Sequence, residues 1–288
     1  MNNILIIGYG KLGSHLFYAL KESTKANVVG VIKKSNRANY FGLVKKANII
    51  FICVQDTKIK NVVKKLSGKT IELKNKFVFH TSGSLSSMEL KPLKAKGAYT
   101  GSFHPVQTFE SRAKKNEGRF SDIYTAIEGD NKSRKKAAEL ARILKSRSFG
   151  IDKENKVYHH LCCVIASNFL STLARQVENI GSKKIRINGF NKLSFFNIYT
   201  PLAATTLDNI ARKGAVNSLS GPVERNDTET IIKHLDALKA YPTDVLPIYL
   251  LLGIETAKLA LEKKSITLPQ TKNILKIFAK YIKNNKIK

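Results

Sequence analysis

The sequence predicts an α/β fold, a doubly wound sheet followed by an all-α C-terminal domain, and three observations carry that expectation. Up to about Asp152, short apolar runs of strand length alternate with stretches of helical periodicity, the pattern of parallel strands joined by crossover helices. From Glu154 onward strand patterns stop and apolar residues recur at helical spacing. A glycine-rich turn, Gly8-Tyr9-Gly10-Lys11-Leu12-Gly13, sits between the first strand and the first helix, where such sheets place an anion-binding turn. The expected domains are residues 1–152 and 153–288.

Each element has its own justification. Asn3–Ile7 is nearly all apolar, as in a strand buried on both faces, and Lys11–Ser23 follows with helical periodicity. Further strands are expected at Asn27–Ile32, Asn48–Val54, Lys76–Phe79, Ala98–Phe103, Tyr124–Glu128 and Ser148–Ile151. Helices fall between them at Lys58–Leu66, Ser87–Ala95 and Ser133–Ser146, implying a parallel sheet covered on both faces. The basic stretch Glu110–Ser121 reads as a mobile loop. The second half predicts helices at Glu154–Ile180, Asn191–Arg212, Asp227–Leu238, Thr243–Lys263 and Pro269–Lys283. Asn226, with Glu229 three residues later, reads as a helix cap. The apolar face Leu246–Ile254 needs cover, which predicts a homodimer through the helical domain.

Composition narrows the function classes. The chain has 288 residues, 50 Lys+Arg against 21 Asp+Glu, a net charge of +29 and 43% hydrophobic residues, too apolar for a disordered polycation. Lys outnumbers Arg 40 to 10 and is spread along the chain. That describes solvated lysine faces rather than a nucleic-acid stripe, which favours Arg, so nucleic acid is not an expected partner. The same charge would attract an anionic cofactor or substrate. No apolar run reaches the roughly 18–20 residues of a bilayer span, and the strand pattern starts at once without a signal peptide, so a cytoplasmic protein is expected. Cys53, Cys162 and Cys163 make neither a disulfide framework nor a CxxC metal pair, so no metal is expected, and the last two read as small core residues.

The nucleotide site is the sharpest signal. Gly8 allows a tight turn, Gly10 lets the backbone approach a pyrophosphate, Gly13 lets helix and strand pack, and the N–H groups around Tyr9, Lys11 and Leu12 face the anion. A carboxylate about 20 residues past the glycines would read a ribose 2′-hydroxyl. Here the second strand ends in Lys33, Lys34, Ser35 and Arg37, which suit a 2′-phosphate and favour NADP over NAD. Val54 and Gln55, ending the third strand, are expected neighbours of the cofactor, and Asp56 reads as a helix cap. His80, Thr81 and Ser82, ending the fourth strand, can also approach it closely.

Several motifs occur in one order: Gly8–Gly13, His80-Thr81-Ser82-Gly83-Ser84, the segment Ser102–Phe109 containing His104-Pro105, Ala166-Ser167-Asn168, and Gly221-Pro222-Val223-Glu224-Arg225-Asn226-Asp227. Across nearly its whole length the chain thereby resembles bacterial Rossmann-like proteins whose helical half is known as domain of unknown function 2520. These are similar in layout to pyrroline-5-carboxylate reductase, ketopantoate reductase and 3-hydroxyacid dehydrogenases. The resemblance implies an NADP-binding Rossmann domain followed by a helical, often dimerising domain.

Hydride-transfer chemistry also needs a proton handler and groups that orient the substrate. His104, after the fifth strand and fixed by Pro105, is one candidate for the proton. His160 is the other; it shares a face of the long helix with Asn168, eight residues on, which would orient the substrate. Arg225, in the Gly-Pro turn, can clamp a carboxylate. Lys156 is followed four residues later by His160, where the hydroxyacid dehydrogenases carry Asn, so their Lys–Asn pair is not intact. The expectation is an NADP-dependent oxidoreductase that reduces a C=O or C=N bond of a small anionic substrate. The alternative is a non-catalytic NADP(H) sensor.

Overall fold

The computed structural model describes residues 2–33, 40–68, 70–185, 195–240 and 245–284. It divides into two compact units, Met1–Leu170 and Ser171–Lys288.

In the first unit, β1 (Asn2–Ile7), β2 (Ala26–Ile32), β3 (Ile49–Ile52), β4 (Phe77–His80), β5 (Tyr99–Val106), β6 (Tyr124–Gly129) and β7 (Arg147–Gly150) form one sheet in the order β2-β1-β3-β4-β5-β6-β7. It is packed by α1 (Lys11–Lys21), α2 (Tyr40–Lys46), α3 (Asp56–Leu66), the single turn α4 (Lys91–Lys94) and α5 (Asn131–Ile143). Alternation along the strands explains why both faces are covered. Leu5, Ile7, Ile50, Ile52 and Val78 point into one core with Val44, Ile59 and Val63. Ile4, Ile6, Ile49, Phe51 and Phe79 point into the other with Leu16, Leu20 and Leu140.

Three sequence expectations are corrected here. The sheet is not wholly parallel, because β6 runs antiparallel to β5, pairing His104 with Ala126 and Ser102 with Glu128. The connection between them contains no crossover helix, and a parallel neighbour requires a crossover. His104 therefore lies inside β5, not after it. The segment 110–121 is docked: Phe120 is buried in the core, and the Ala113 N–H donates to Ser14 Oγ of α1 at 2.9 Å.

The helix that follows begins in the first unit with α6 (Lys156–Cys163), widens into a π-helical stretch at Val164–Phe169 and continues as α7 (Leu170–Lys184). The units therefore divide inside this helix, not at the strand-to-helix change near Asp152, because Lys156 is buried against β4 and β5 of the first unit. Lys153–Lys184 also contains an 18-residue window of mean hydropathy 1.2, long and apolar enough to cross a membrane by length and composition, with none of the window buried. The sequence reading passed over it because two histidines and Ser167-Asn168 interrupt the apolar run.

The second unit adds α8 (Thr200–Ser218), α9 (Thr228–Lys239), α10 (Val245–Glu262) and α11 (Leu268–Asn284). Its core is Ile231 and Leu235 of α9, Leu246, Leu250, Ala257 and Ala260 of α10, and Ile274 and Phe278 of α11. The expected exposed face Leu246–Ile254 is thus half core, with only Leu251 and Leu252 strongly exposed. The uncovered apolar side chains gather elsewhere: Leu161, Ile165 and Phe169 on the long helix, and Leu202 and Leu207 on α8. The cap of α9 is Asp227, which accepts from the Thr230 N–H at 3.0 Å. Asn226 instead takes the left-handed turn before it, at φ 54°.

Candidate functional site

The winding of the sheet reverses between β1 and β3. Ligands of such sheets bind in the crevice beyond the carboxyl ends of the strands at this point. The glycine turn lies there. Gly8 has φ 106°, and a β-carbon on it would collide with the Cys53 carbonyl. A β-carbon on Gly13 would strike the Gly8 carbonyl, so helix and strand approach as closely as the motif requires. A β-carbon on Gly10, by contrast, would meet nothing within 4 Å. The start of α1 has no side-chain cap and no acidic residue in its first turn. Open space over Gly10 and uncapped N–H groups fit a dinucleotide pyrophosphate. Lys33 Nζ lies over the Tyr9 ring, 4.6 Å from its centroid, so that ammonium stands beside the turn. Lys34, Ser35 and Arg37 fall outside the described residues.

At the end of β3, Val54 is half-buried and Gln55 occupies the cap position of α3 without a side-chain capping bond. Asp56 does not cap either. Its Oδ2 accepts from Ser82 Oγ at 2.6 Å and Ser84 Oγ at 3.2 Å, tying the β4 loop to α3. His80 is buried; its Nε2 bonds the Ser86 carbonyl at 3.0 Å and its Nδ1 accepts from the Ser82 N–H at 3.2 Å. The carbonyl partner fixes the Nε2–H tautomer, and burial pushes the imidazole down to about 4. Thr81 Oγ1 donates to the Ile52 carbonyl at 3.4 Å. These side chains hold the loop's shape.

Behind the loop lies the group that sequence reading left without a role. Lys156 is fully buried, and its Nζ donates to the Ser82 carbonyl and to Ser102 Oγ, each at 2.9 Å. Burial pushes its ammonium down to about 8, against the attraction of Glu128 and Asp56. In so lysine-rich a chain the sequence marked this residue only as the lysine of the broken Lys–Asn pair, four residues before His160.

In front of Lys156 stand three imidazoles. His104 Nδ1 and His159 Nε2 face each other at 3.0 Å, and the His104 and His160 rings lie 6.4 Å apart, centre to centre. Gly83 sits between them: a β-carbon there would lie 2.7 Å from His160 Cδ2 and 2.8 Å from His104 Nε2. Burial, then the Lys156 charge, drive His104 down to about 3, and the same two causes lower His159. Cys163 Sγ lies 3.9 Å from His159 Nε2. Neither cysteine of the pair is in a core, since Cys162 is exposed and Cys163 half-buried. Asn168 falls within the π-helical stretch, whose wider turn breaks the α-periodicity that put it on one face with His160. The fold thus brings His104, His160 and Ser82 together and adds His159, Lys156 and Cys163. Arg225 belongs to the second unit, where it is exposed beside the α9 cap.

A Rossmann-like domain model matches residues 18–105, and the model of domain of unknown function 2520 matches residues 123–256. No curated protein matches the chain. Among solved structures, the chain is similar to a Bacteroides fragilis protein provisionally described as an NADP oxidoreductase, with 21% identity and a TM-score of 0.68 over 90% of this chain and 98% of that one. A Thermotoga maritima protein has 24% identity and a TM-score of 0.68 over 91% and 99%. A Pseudomonas putida protein, provisionally described as an oxidoreductase, has 11% identity and a TM-score of 0.65 over 95% and 97%. At these identities the likeness is one of fold. Glycine turn, strand order and matched domains lead to one conclusion: the chain is a Rossmann-like protein that carries a domain of unknown function 2520.

Proposed function

We propose that this protein is an NADP(H)-dependent oxidoreductase that reduces a C=O or C=N bond of a small anionic substrate. The observation that carries this reading is the buried Lys156 ammonium, held by Ser82 and Ser102 behind a group of imidazoles at the carboxyl ends of β4 and β5. The glycine turn and the uncapped start of α1 would hold the pyrophosphate, and Lys33, with its neighbours in sequence, the 2′-phosphate. The bound cofactor supplies hydride from its nicotinamide ring. A fixed cation in a poorly solvated site stabilises negative charge developing on a substrate oxygen or nitrogen, and attracts an anionic substrate beforehand. His104 or His160 passes the proton, His160 being the more exposed. Asn168, on the long helix, is assigned to orienting the substrate.

Nicotinamide fluorescence titrations with NADPH and NADH test the cofactor. The expected result is an NADPH preference that Lys33→Ala/Lys34→Ala abolishes. Oxidation of NADPH with a panel of carbonyl and imine acids then tests the reaction. Lys156→Met is expected to lose turnover while binding NADPH normally, and wild-type turnover is expected to fall above about pH 8 as the ammonium deprotonates. Tight binding with no turnover on any substrate would favour the sensor, which the absent Lys–Asn pair supports.

The uncovered apolar side chains of the long helix and α8 support a homodimer as the working form. Leu202→Lys/Leu207→Lys is expected to halve the mass measured by light scattering. A wild-type monomer that pellets with lipid vesicles would assign those faces to a membrane instead.

A further inference from the structure

We propose that His104, His159 and Cys163 form a binding site for one borderline-soft divalent transition-metal ion of the zinc class, with a fourth coordination position open to water or a substrate oxygen. The facing ring nitrogens of the two histidines are 3.0 Å apart, the thiol sulfur is 3.9 Å from the nearer of them, and all three donor atoms lie within 4.8 Å of one another. Zinc bonds of about 2.0–2.1 Å to nitrogen and 2.3 Å to sulfur set tetrahedral donor separations of about 3.3–3.6 Å. Side-chain rotation of about an ångström would close the site.

The scaffold is suited to chelation. His159 and Cys163 are four residues apart on α6, which puts both donors on one helix face. His104 comes from β5, hydrogen-bonded on both sides by β4 and β6. Two imidazole nitrogens that face each other at 3.0 Å need a proton or a cation between them, and a cation with a third, sulfur donor can take that place. Two imidazoles and a thiol suit zinc, and three protein ligands with one open position is the pattern of zinc sites that bind a further molecule. Coordination would take the thiol as thiolate and release its proton to solvent. The π-helical stretch starts immediately after Cys163, and such interruptions recur at functional sites. The two histidines are far apart in sequence, so no CxxC or HxxxH pattern announced the site.

This site does not depend on the hydride-transfer reading. Were that reading to hold, a metal on His104 would leave His160 to pass the proton. The test uses the full chain, stripped with a chelator and titrated with Co²⁺ alone. The expected spectrum saturates at one equivalent, with visible ligand-field bands of a four-coordinate ion and a near-ultraviolet thiolate-to-cobalt charge-transfer band, both bleached by Zn²⁺. Cys163→Ser should remove the charge-transfer band, and it and His159→Asn should each weaken Co²⁺ more than about tenfold. Cys162→Ser, altering the exposed neighbour, should leave the spectrum unchanged. No saturable spectrum, or a charge-transfer band that survives Cys163→Ser or vanishes in Cys162→Ser, would overturn the proposal. NADPH titrations of the same metal-free samples report separately on the cofactor.

Discussion

The two units bury different things. The first buries His15, His80, Ser82, Ser102, Glu128 and Lys156 along with its apolar core, and most of these gather at the carboxyl ends of β4 and β5. Among the described residues of the second unit, Thr271 is the one buried polar side chain, and α8 buries none of its residues. A sheet with polar groups at one rim can hold and orient ligands, because each buried group is fixed by a partner: Ser87 donates to Glu128 from its N–H at 2.6 Å and its hydroxyl at 2.7 Å. Helices that leave apolar faces uncovered offer a surface to a protein, a membrane or a ligand. The buried polar groups lie in the sheet of the first unit, and the uncovered apolar side chains lie on the long helix, with Leu161, Ile165 and Phe169 still inside that unit, and on α8.

Glycines with positive φ offer the strongest test of that contrast. Gly8 and Gly214 both adopt it, at 106° and 78°, but a β-carbon on Gly8 would collide with the Cys53 carbonyl and one on Gly214 would meet nothing within 4 Å. Gly8→Ala is expected to cost about 2–3 kcal/mol of stability and more than about tenfold in NADPH affinity. Gly214→Ala is expected to cost only the backbone term, about 1 kcal/mol, with NADPH affinity unchanged. Equal losses in urea melts of the two variants would show that Gly8 has no tighter surroundings than Gly214.

Lys156 gives the next largest effect. Its folded pKa is about 8, below its ordinary 10.5. Between these values the unfolded chain keeps a proton that the folded chain has released, so stability rises with pH across that window. The gain is up to about 3 kcal/mol, complete near pH 10.5 and absent below about pH 8. Chemical denaturation at a series of alkaline pH values should show this rise in the wild type and a flatter profile in Lys156→Met. Parallel profiles would mean that the ammonium is solvated and that the rim is less dry than the structure implies.

Much of the fold was legible because buried strands and amphipathic helices leave local patterns. Ile4–Ile7 and Ile49–Ile52 are apolar at every position because both sheet faces are covered. α2 was missed because it is short, with Val44 its one buried residue. The reversal of β6 was missed because strand direction depends on whether the connection crosses a sheet face, which composition does not report. At the site, the glycine turn was legible because backbone geometry dictates residue type there. Lys156, His159 and Cys163 acquire meaning only when α6 meets β4 and β5, so their sequence neighbourhood looks like any lysine-rich helix start with two small residues after it. The same limit applied to Asn226: cap residues are interchangeable in sequence, and the left-handed turn at φ 54° moved the cap one residue on.

The smallest effect in the comparison concerns two aspartates with the same role. Asp130 caps α5 by accepting from the Ser133 N–H at 2.9 Å, and Asp227 caps α9 by accepting from the Thr230 N–H at 3.0 Å. Taken alone, the caps are equivalent. Asp130 Oδ2 also accepts from the N–H of Thr100, a buried residue of β5, at 3.2 Å, so Asp130→Ala leaves a strand donor without a partner as well as uncapping a helix. A loss of about 1–2 kcal/mol is expected for Asp130→Ala. Asp227→Ala, which uncaps a helix without leaving a strand donor unpaired, should lower the thermal midpoint by less. Asp130→Asn keeps an oxygen acceptor for either donor, so it should recover part of the loss, whereas the two alanine variants would lose equally if the Thr100 bond carried no weight. An excess loss confined to Asp130 would tie the difference between the units to the sheet, where one side chain serves a helix end and a strand together.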